Sequence, residues 1–427
     1  MSEARGSLYA WWVVAVLTLT QALAFVDRQV LALLVEPIKR DLGVSDTAIS
    51  LLYGLSFAFF YVLVALPIAR LADRSSRRNI IAVSVAIWSL ATAACGLARG
   101  FPQLVAARLG VGAGEAGLSP AAQSMMADYF PARRLAAALG VFSTGIYLGG
   151  GLALIVGGWL VNAAPAIAAA AGHSAIAPWR VVMLTVGLVG LPVALLFATV
   201  REPPRGAGEP PMPLADVLAF LSERRWTYVG LMGALALMIF VGQSSSAWIP
   251  AFFERRFGWD APKVGALYGP LVLVCGAAGA LVGGAIASAA RRRHGRGNLL
   301  ASLGGFLLVT PLAIVFPLSP TPALALGLIG AMVFCAGLTF GGGYAALQEA
   351  TPPTMRAQIT ALNGLCVNLI GAGLGPLAVG LATDRLFGDP ARLPQALSLV
   401  AAVGCPVTIA FFALALARHR TPAEAAA

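Results

Sequence analysis

Residues 10–34 read AWWVVAVLTLTQALAFVDRQVLALL, a stretch in which only Asp27 and Arg28 carry a charge. About 20 consecutive apolar residues are enough for an α-helix to cross a bilayer, so this stretch predicts a membrane-spanning helix. Charged side chains inside hydrocarbon are costly and usually line a cavity that has a function. The stretch therefore predicts a membrane protein and also marks one place where that protein works.

Eleven more apolar stretches of similar length follow along the chain. Of its 427 residues, 59% are hydrophobic and 11% are charged, and the mean hydropathy is +0.84. A soluble domain carries about 25% charged residues, so the composition excludes that class. We predict an all-α membrane protein with twelve transmembrane helices, at residues 10–34, 47–69, 79–98, 103–127, 135–162, 179–200, 226–250, 262–289, 298–317, 321–347, 357–382 and 395–417.

Lysine and arginine are unevenly distributed between the loops. If the N-terminus lies inside, 18 of the 29 basic residues fall in segments on the cytoplasmic side and 9 in segments on the outer side. Cytoplasmic loops of membrane proteins carry an excess of these residues. We therefore expect both termini to be cytoplasmic.

The longest polar segment divides the chain in the middle. It reads REPPRGAGEPPMPLADVLAFLSERR and is rich in proline and glycine, which is typical of a linker, with a short surface helix expected at its end. Six predicted spans lie on each side of it, and a basic turn follows the second span of each half. We predict an N-terminal half at 1–200, a cytoplasmic linker at 201–225 and a C-terminal half at 226–427.

The loop after the second span reads Ala69-Arg-Leu-Ala-Asp73-Arg74-Ser-Ser76-Arg77-Arg78. It resembles the loop signature of the major facilitator superfamily, Gly-x-x-x-Asp-Arg-x-Gly-Arg-Arg, with both glycines replaced and the charges kept. Span 4 holds Arg108-x-x-x-Gly112-x-Gly114, which is similar to the second motif of that superfamily. With twelve spans and a six-plus-six division, the resemblance covers the whole chain and implies two six-helix halves in the major facilitator fold.

Three segments resemble the spinster-like branch of this superfamily. They are FVDRQ at 25–29, GAGEAGLSPAAQSMMADYFPARR at 112–134 and AWIPAFFERRFG at 247–258. This resemblance implies a carrier of lysophospholipids or sphingoid lipids that is coupled to protons. Carriers of this kind are usually monomeric.

Asp27, Arg28 and Glu115 are the candidates for the working site. Adjacent residues point about 100° apart on a helix, so the simplest arrangement sets Arg28 opposite Glu115, with Asp27 nearby as a second acid. Opposite charges in a low dielectric hold each other ionised. We expect Glu115 or Asp27 to take up a proton when a substrate or a conformational change draws Arg28 away. The alternative is a static salt bridge that fixes the first helix against the fourth.

Arg108 lies about two turns before Glu115 in the same span. It either joins this site or packs against a neighbouring helix and binds its free carbonyls. Both interpretations stay open on the sequence.

In the superfamily, the loop after span 2 forms charge contacts at the cytoplasmic ends of helices, and these contacts break when the carrier opens inward. The resemblance implies such a conformational gate here, with a weaker candidate at the end of span 4. The usual excess of positive charge in cytoplasmic loops would explain the arginines, but it does not explain the acidic residue Asp73. The predicted gate residues are Asp73, Arg74, Arg77, Arg78, Asp128 and Arg133.

The second half has no charged residue well inside a span. Its candidate substrate-binding residues are Gln243 and Asn368, although such amides also cap neighbouring backbone. Asn363 lies five residues before Asn368, so the two are not quite on one helix face. A charged first half with a mostly apolar second half suits an amphiphile whose headgroup lies by Arg28 and Glu115.

We therefore predict a proton-coupled secondary active transporter of an amphipathic, lipid-like substrate that works by alternating access. A proton-coupled exporter of drugs or organic anions is the closest alternative, with Arg28 binding an anionic group. A receptor or scaffold that transports nothing is disfavoured, because it leaves the intramembrane charges without a purpose. The composition favours a bacterial inner membrane.

An enzyme is not expected, because the sequence shows no nucleotide-binding loop and no nucleophile–base pair. The five cysteines all lie in apolar spans, and no pair has the spacing of metal ligands. We therefore predict no cofactor, no metal and no nucleic-acid partner.

Overall fold

The computed structural model describes residues 8–170, 172, 176–204 and 213–418. The predicted linker at 201–225 therefore lies partly outside the described residues. Within these ranges the structure describes the backbone but not the side chain of twelve residues: Leu66, Ala69, Arg70, Ala72, Asp73, Arg74, Ala132, Arg133, Ala136, Leu214, Pro353 and Ala357.

The described chain is helical and has no strand. In a bilayer a helix is favoured because it satisfies its own backbone hydrogen bonds. The α-helices are α1 Leu8–Leu33, α2 Val35–Leu42, α3 Asp46–Ser50, α4 Ser56–Arg74, α5 Arg77–Leu97, α6 Phe101–Glu115, α7 Leu118–Tyr129, α8 Ala132–Ala170, α9 Pro178–Leu196, α10 Leu214–Glu223, α11 Arg225–Ser246, α12 Ile249–Phe257, α13 Ala261–Arg293, α14 Gly297–Val315, α15 Pro322–Ala350, α16 Arg356–Cys366, α17 Leu374–Leu381 and α18 Leu393–Arg418. Three π-helices occur at Leu51–Leu55, Val367–Gly373 and Ala382–Phe387, and four short 3-10 helices at Phe197–Thr199, Phe316–Leu318, Pro353–Met355 and Pro390–Arg392.

Within the described ranges, eleven helices are long and apolar enough to cross a membrane. They correspond to every predicted span except the fourth, so the prediction of an all-α membrane protein is confirmed. The short helix expected at the end of the linker is also present, as α10.

The fourth predicted span, 103–127, is not one continuous helix. It consists of α6 and α7, which have 15 and 12 residues. Glu115 is the last residue of α6, so it lies at this break, near the middle of the predicted span.

The break between α6 and α7 has a cause in the sequence. Pro120 has no backbone N–H, so the carbonyl of Ala116 loses the helical hydrogen bond that residue 120 would donate. Gly117 follows directly and packs against α5, where a Cβ would lie 2.3 Å from Ser84 Oγ. Proline together with glycine is a common cause of a sharp bend in a helix.

The first compact unit consists of residues 1–207 and 258–273. In this unit α1 packs along α8, and α5 packs against both α6 and α9. Glycines allow the close approach, since a Cβ at Gly149 of α8 would lie 2.2 Å from the Ala22 carbonyl oxygen of α1. Small residues have the same effect at many helix contacts in membranes.

Residues 258–273 belong to this unit because the first part of α13 packs closely on α8. A Cβ at Gly265 would lie 2.2 Å from the Leu154 carbonyl oxygen, and one at Gly158 would lie 2.9 Å from the Ala261 carbonyl oxygen. The two backbones therefore touch along a seam of glycines.

The second unit consists of residues 208–257 and 274–427. In this unit α11 packs against α18, α17 and the π-helix Val367–Gly373, and α14 packs against α15 and α18. Phe252 contacts three other rings, with centroid distances of 5.2–5.8 Å, and these belong to Phe253, Phe257 and Phe316. This aromatic cluster ties α12 to the end of α14.

Candidate functional site

The charged residues of α1 and α6 meet inside the first unit. Arg28 donates from Nε to Glu115 Oε2 over 2.7 Å, and its second terminal nitrogen lies 2.5 Å from the same oxygen. The Glu115 side chain is 1% exposed, whereas the Arg28 side chain is 24% exposed. The predicted pair is therefore present, and its cation has an open side while its anion has none.

Asp27 and Arg108 belong to the same cluster. Both are buried, and Asp27 interacts electrostatically with Glu115 and Arg108. The guanidinium carbons of Arg108 and Arg28 lie 5.9 Å and 4.3 Å from the centroid of one ring, that of Phe57. Of the two interpretations of Arg108, the structure thus favours membership of the site. We call Asp27, Arg28, Phe57, Arg108 and Glu115 the Arg28 site.

Several buried polar atoms of the Arg28 site have no hydrogen-bond partner among the described residues. Counting only described residues, Asp27 Oδ1, Glu115 Oε1 and two nitrogens of Arg108 have no hydrogen-bond partner. Buried polar groups are normally paired, so each exception calls for an explanation. A ligand, a proton or bound water would complete this hydrogen bonding, which suits a working site better than a finished structural salt bridge.

Glycines bring α6 close to its neighbours at this site. A Cβ at Gly112 would lie 2.4 Å from the Phe57 carbonyl oxygen of α4, and one at Gly114 would lie 2.7 Å from the Trp88 nitrogen of α5. Both contacts are with backbone atoms, which cannot move away alone. The motif Arg108-x-x-x-Gly112-x-Gly114 therefore fixes where Arg108 and Glu115 lie.

We expect Gly112→Ala to destabilise the protein by about 1–3 kcal/mol, the usual cost of overpacking, because the new methyl group would force α6 away from α4. Thermal unfolding in detergent would measure the loss. Gly140→Ala is the matched control, since its Cβ would meet nothing within 4 Å and alanine favours a helix. Equal melting temperatures for the two variants would contradict the close approach.

A second charge cluster forms around Arg77 at the start of α5. Arg77 is 3% exposed, and one terminal nitrogen lies 2.5 Å from Asp128 Oδ2. Its Nε donates to Glu202 Oε1 over 2.8 Å, and further bonds go to the Ser124 hydroxyl and the Pro203 carbonyl. The Arg77 cluster, meaning these five residues, ties α5 to α7 and to the segment that follows α9.

The structure brings together part of the predicted gate. Arg78 donates its backbone N–H to Glu202 Oε2 over 2.9 Å, while its side chain binds Asn79 and the Val200 carbonyl. The side chains of Asp73, Arg74 and Arg133 lie outside the described residues. Arg77, Arg78 and Asp128 are therefore the predicted gate residues that have described contacts.

Sequence reasoning missed Glu202. Burial raises the pKa of Glu202, but hydrogen bonds from the Arg78 N–H, Arg77 and the Ser76 hydroxyl outweigh it and leave the pKa below its usual value of 4.5. A signal was available in the sequence, because Glu202 is the first acid after the sixth span and precedes Pro203. A residue before proline is held in extended backbone, which keeps this acid near the basic loop.

The lowered pKa of Glu202 makes stability depend on pH. The folded-state pKa lies below the unfolded one, so the contribution is complete above about pH 4.5 and is lost as pH falls through the folded value. We expect Glu202→Gln to reduce the fall in melting temperature between about pH 5 and pH 3. Scanning fluorimetry would measure this, with the exposed acid Glu223→Gln as the control. Parallel profiles for wild type and Glu202→Gln would rule the effect out.

The two amides predicted to bind substrate make local bonds in the second unit. Gln243 Oε1 accepts from the Ser246 hydroxyl over 2.8 Å, and Asn368 Nδ2 donates to the Gly364 carbonyl over 2.9 Å. Asn363 differs, because it is fully buried and neither side-chain polar atom has a partner in the described chain. Asn363 is therefore a fully buried amide with hydrogen-bonding capacity to spare on both of its polar atoms, as far as the described residues show.

Potential metal ligands are dispersed. The described ranges contain no group of three or more His, Cys, Asp or Glu side chains that would hold a metal ion, and the five cysteines are free. At the Arg28 site, two guanidinium groups accompany the two carboxylates, so positive charge is already supplied there by the chain.

The comparisons with known proteins cover nearly the whole chain. The family model described as Major Facilitator Superfamily matches residues 17–376. An MFS-type efflux pump of Mycolicibacterium smegmatis is 30% identical over 98% of this chain and 95% of its own length. The sphingosine-1-phosphate transporter SPNS2 of Danio rerio is 26% identical over 92% of this chain and 81% of its own length.

A solved structure gives the same result for the fold. A bacterial homolog of the human lysosomal transporter Spinster, in an inward-facing and unoccupied conformation, has a TM-score of 0.80 and 30% identity, covering 97% of this chain and 96% of that one. The predicted resemblance to spinster-like proteins is confirmed. Because these relatives are transporters, the prediction that the chain is not an enzyme is also confirmed.

Proposed function

This chain belongs to the Major Facilitator Superfamily as a spinster-like transporter, and we propose that it moves an amphipathic, lipid-like substrate in a proton-coupled cycle of alternating access. The substrate would be of the lysophospholipid or sphingoid type. The observation that carries the proposal is the ion pair of Arg28 and Glu115, in which a buried acid depends on a partly exposed cation.

Proton coupling follows from competition for Arg28. An anionic headgroup that binds the open side of the guanidinium draws it away from Glu115 Oε2. The carboxylate, 1% exposed, would then be an unpaired buried charge, which is costly unless it takes up a proton. Substrate binding at Arg28 and protonation of Glu115 therefore favour each other.

Asp27 and Arg108 extend the same chemistry. Asp27 Oδ1 and two nitrogens of Arg108 lack partners within the described part of the chain, so a second acid and a second cation are available beside the pair. We assign Asp27 with Glu115 to proton coupling, and Arg108 with Arg28 to the ion pair and the substrate. Gln243 and Asn368 remain proposed substrate contacts, although their local bonds favour a capping role.

The lipid assignment has separate support. The relative from Danio rerio is named as a sphingosine-1-phosphate transporter, and a phosphate headgroup is the kind of anion that arginine binds well. Phe25, Phe57 and Tyr61 surround the guanidinium at 4.3–5.8 Å, which gives an apolar wall beside the charged site. A molecule with an anionic head and an apolar tail fits these surroundings.

Export of a drug or organic anion is the second candidate. It is favoured by the relative from Mycolicibacterium smegmatis, which is named as an efflux pump and is 30% identical. The same arginine would bind the anionic group of such a substrate. The two candidates differ in the tail of the substrate, not in the site.

The proposal includes the predicted topology. We propose a monomer in a bacterial inner membrane with cytoplasmic termini, an N-terminal half at 1–200, a linker at 201–225 and a C-terminal half at 226–427. The charged loop, with Asp73, Arg74, Arg77 and Arg78, would then lie on the cytoplasmic side and act as a gate together with Asp128 and Arg133. The contacts of Arg77 with Asp128 and Glu202 support this assignment.

Uptake of labelled lysophosphatidic acid into proteoliposomes tests the proposed function. Wild type should accumulate the lipid faster under an imposed pH gradient. Glu115→Gln should lose the dependence on the gradient, because the amide is shaped like the protonated acid but cannot release a proton. Glu223→Gln removes an exposed acid of α10 and should behave as wild type.

The other outcomes separate the candidates. Uptake that ignores both the gradient and the mutation would reduce Glu115 to a structural partner. An absence of lipid uptake, together with gradient-driven movement of an organic anion, would favour the exporter.

A further inference from the structure

We propose that Phe57 is a positioning residue that keeps Arg28 in place for the substrate after Glu115 has taken up its proton, an inference that rests on the proposed function. Phe57 was not among the residues singled out by sequence. It lies in α4, two positions beyond the π-helix Leu51–Leu55.

Phe57 is the nearest of the rings around Arg28. The Arg28 guanidinium carbon lies 4.3 Å from the Phe57 centroid, against 5.2 Å for Phe25 and 5.8 Å for Tyr61. The Arg108 guanidinium lies 5.9 Å from the same centroid. One ring thus stabilises both cations of the site, and such contacts are strongest where water is excluded.

A ring does what a carboxylate cannot do in this cycle. Glu115 holds Arg28 only while it is charged, so protonation releases the guanidinium. The attraction of the Phe57 ring for a cation does not depend on protonation. Phe57 therefore keeps Arg28 facing the substrate at the step when Glu115 is protonated and no longer attracts the guanidinium. The charged and titratable groups near Arg28 are Asp27 on α1, Glu115 and Arg108 on α6, Tyr53 on the π-helix and Tyr61 on α4.

The backbone holds Phe57 firmly in this position. Phe57 is 3% exposed, and its carbonyl packs at the place where Gly112 has no Cβ. Its ring also contacts that of Tyr61, with centroids 5.7 Å apart. A ring that is packed on several sides can therefore hold the two guanidinium groups in place.

Fluorination of Phe57 tests the inference, because added fluorines withdraw charge from the ring face and change its shape very little. Phenylalanine, 4-fluoro-, 3,5-difluoro- and 3,4,5-trifluorophenylalanine would be placed at position 57 of the full chain. The readouts are the melting temperature and the half-saturating concentration and maximal rate of lysophosphatidic acid uptake. The same series at Phe59, which is 54% exposed on the same helix, is the matched control.

We expect the melting temperature to fall with each fluorine at position 57 and the half-saturating concentration to rise, by about 2- to 30-fold across the series, with little change in maximal rate. Both readouts should be flat at Phe59. Flat melting temperatures at position 57 would overturn the cation contact. Falling melting temperatures with an unchanged half-saturating concentration would make the contact structural only and would also overturn the proposal. A wild type that takes up no lysophosphatidic acid would overturn the proposed function, while the melting series would still decide whether the ring stabilises the cations.

Discussion

Arg28→Met should abolish gradient-driven transport and destabilise the protein by about 2–4 kcal/mol. Removing one partner of a fully buried ion pair costs about 3–5 kcal/mol, because an uncompensated charge is left behind. The cost here should be somewhat smaller, because the Arg28 side chain is 24% exposed. Transport should fail for a separate reason, since the variant lacks the guanidinium whose release from Glu115 Oε2 would couple substrate binding to protonation.

A double-mutant cycle separates stability from transport at this pair. The cycle consists of Arg28→Met, Glu115→Leu and the two combined. The combination removes both charges, so it should be more stable than Arg28→Met alone and still transport nothing. Glu115→Gln should cost less than Arg28→Met, because the cation that it leaves unpaired is 24% exposed, whereas Arg28→Met leaves a carboxylate that is 1% exposed. Unfolding in detergent gives the free energies, and proteoliposome uptake gives transport. If the two single losses simply add, the residues are not coupled and the contact carries no energy.

Sequence was a reliable guide where one property decided the outcome. Hydropathy over about 20 residues locates a helix in a membrane, so eleven spans are found where they were predicted. Charge in an apolar stretch located Asp27, Arg28 and Glu115, because the cost of burying charge does not depend on tertiary detail. The pairing of Arg28 with Glu115 followed from there being few opposite charges to choose from.

The features that sequence reasoning missed depend on distance between chain segments. Glu202 meets Arg77 across more than a hundred residues, and the local signal at Glu202, its place before Pro203, does not specify which basic residue it binds. Phe57 looks like one more apolar residue of its span, because its importance arises only when α1 and α6 place two arginines over its ring. The break after Glu115 was missed as well, although its cause is local, because Gly117 and Pro120 are visible in the sequence.

Arg77→Met should be the second large loss, with about 2–4 kcal/mol of stability removed. Asp128 and Glu202, whose side chains are 20% and 27% exposed, would both lose the guanidinium that they now share. Arg77→Lys should recover only part of the loss, because a single ammonium cannot donate in two directions as the planar guanidinium does. Gradient-driven uptake should fall as well, if this cluster is part of the gate.

Arg78→Met is the matched control for Arg77, since it removes a neighbouring charge of the same loop. The bond from Arg78 to Glu202 uses the backbone N–H, so the substitution leaves it in place, and the lost side-chain bonds reach only Asn79 and the Val200 carbonyl. Its expected cost is therefore below about 1 kcal/mol, because the half-buried Arg78 side chain takes part in neither of the ion pairs of the Arg77 cluster. Adding Asp128→Asn and Glu202→Gln to Arg77→Met should restore stability in part, because the repulsion between the two acids disappears. Unfolding by heat and denaturant would compare these variants. Equal losses of stability for Arg77→Met and Arg78→Met would show that the loop requires positive charge in general. A loss of stability confined to Arg77→Met would show that one buried guanidinium holds the start of α5, the end of α7 and the segment after α9 together.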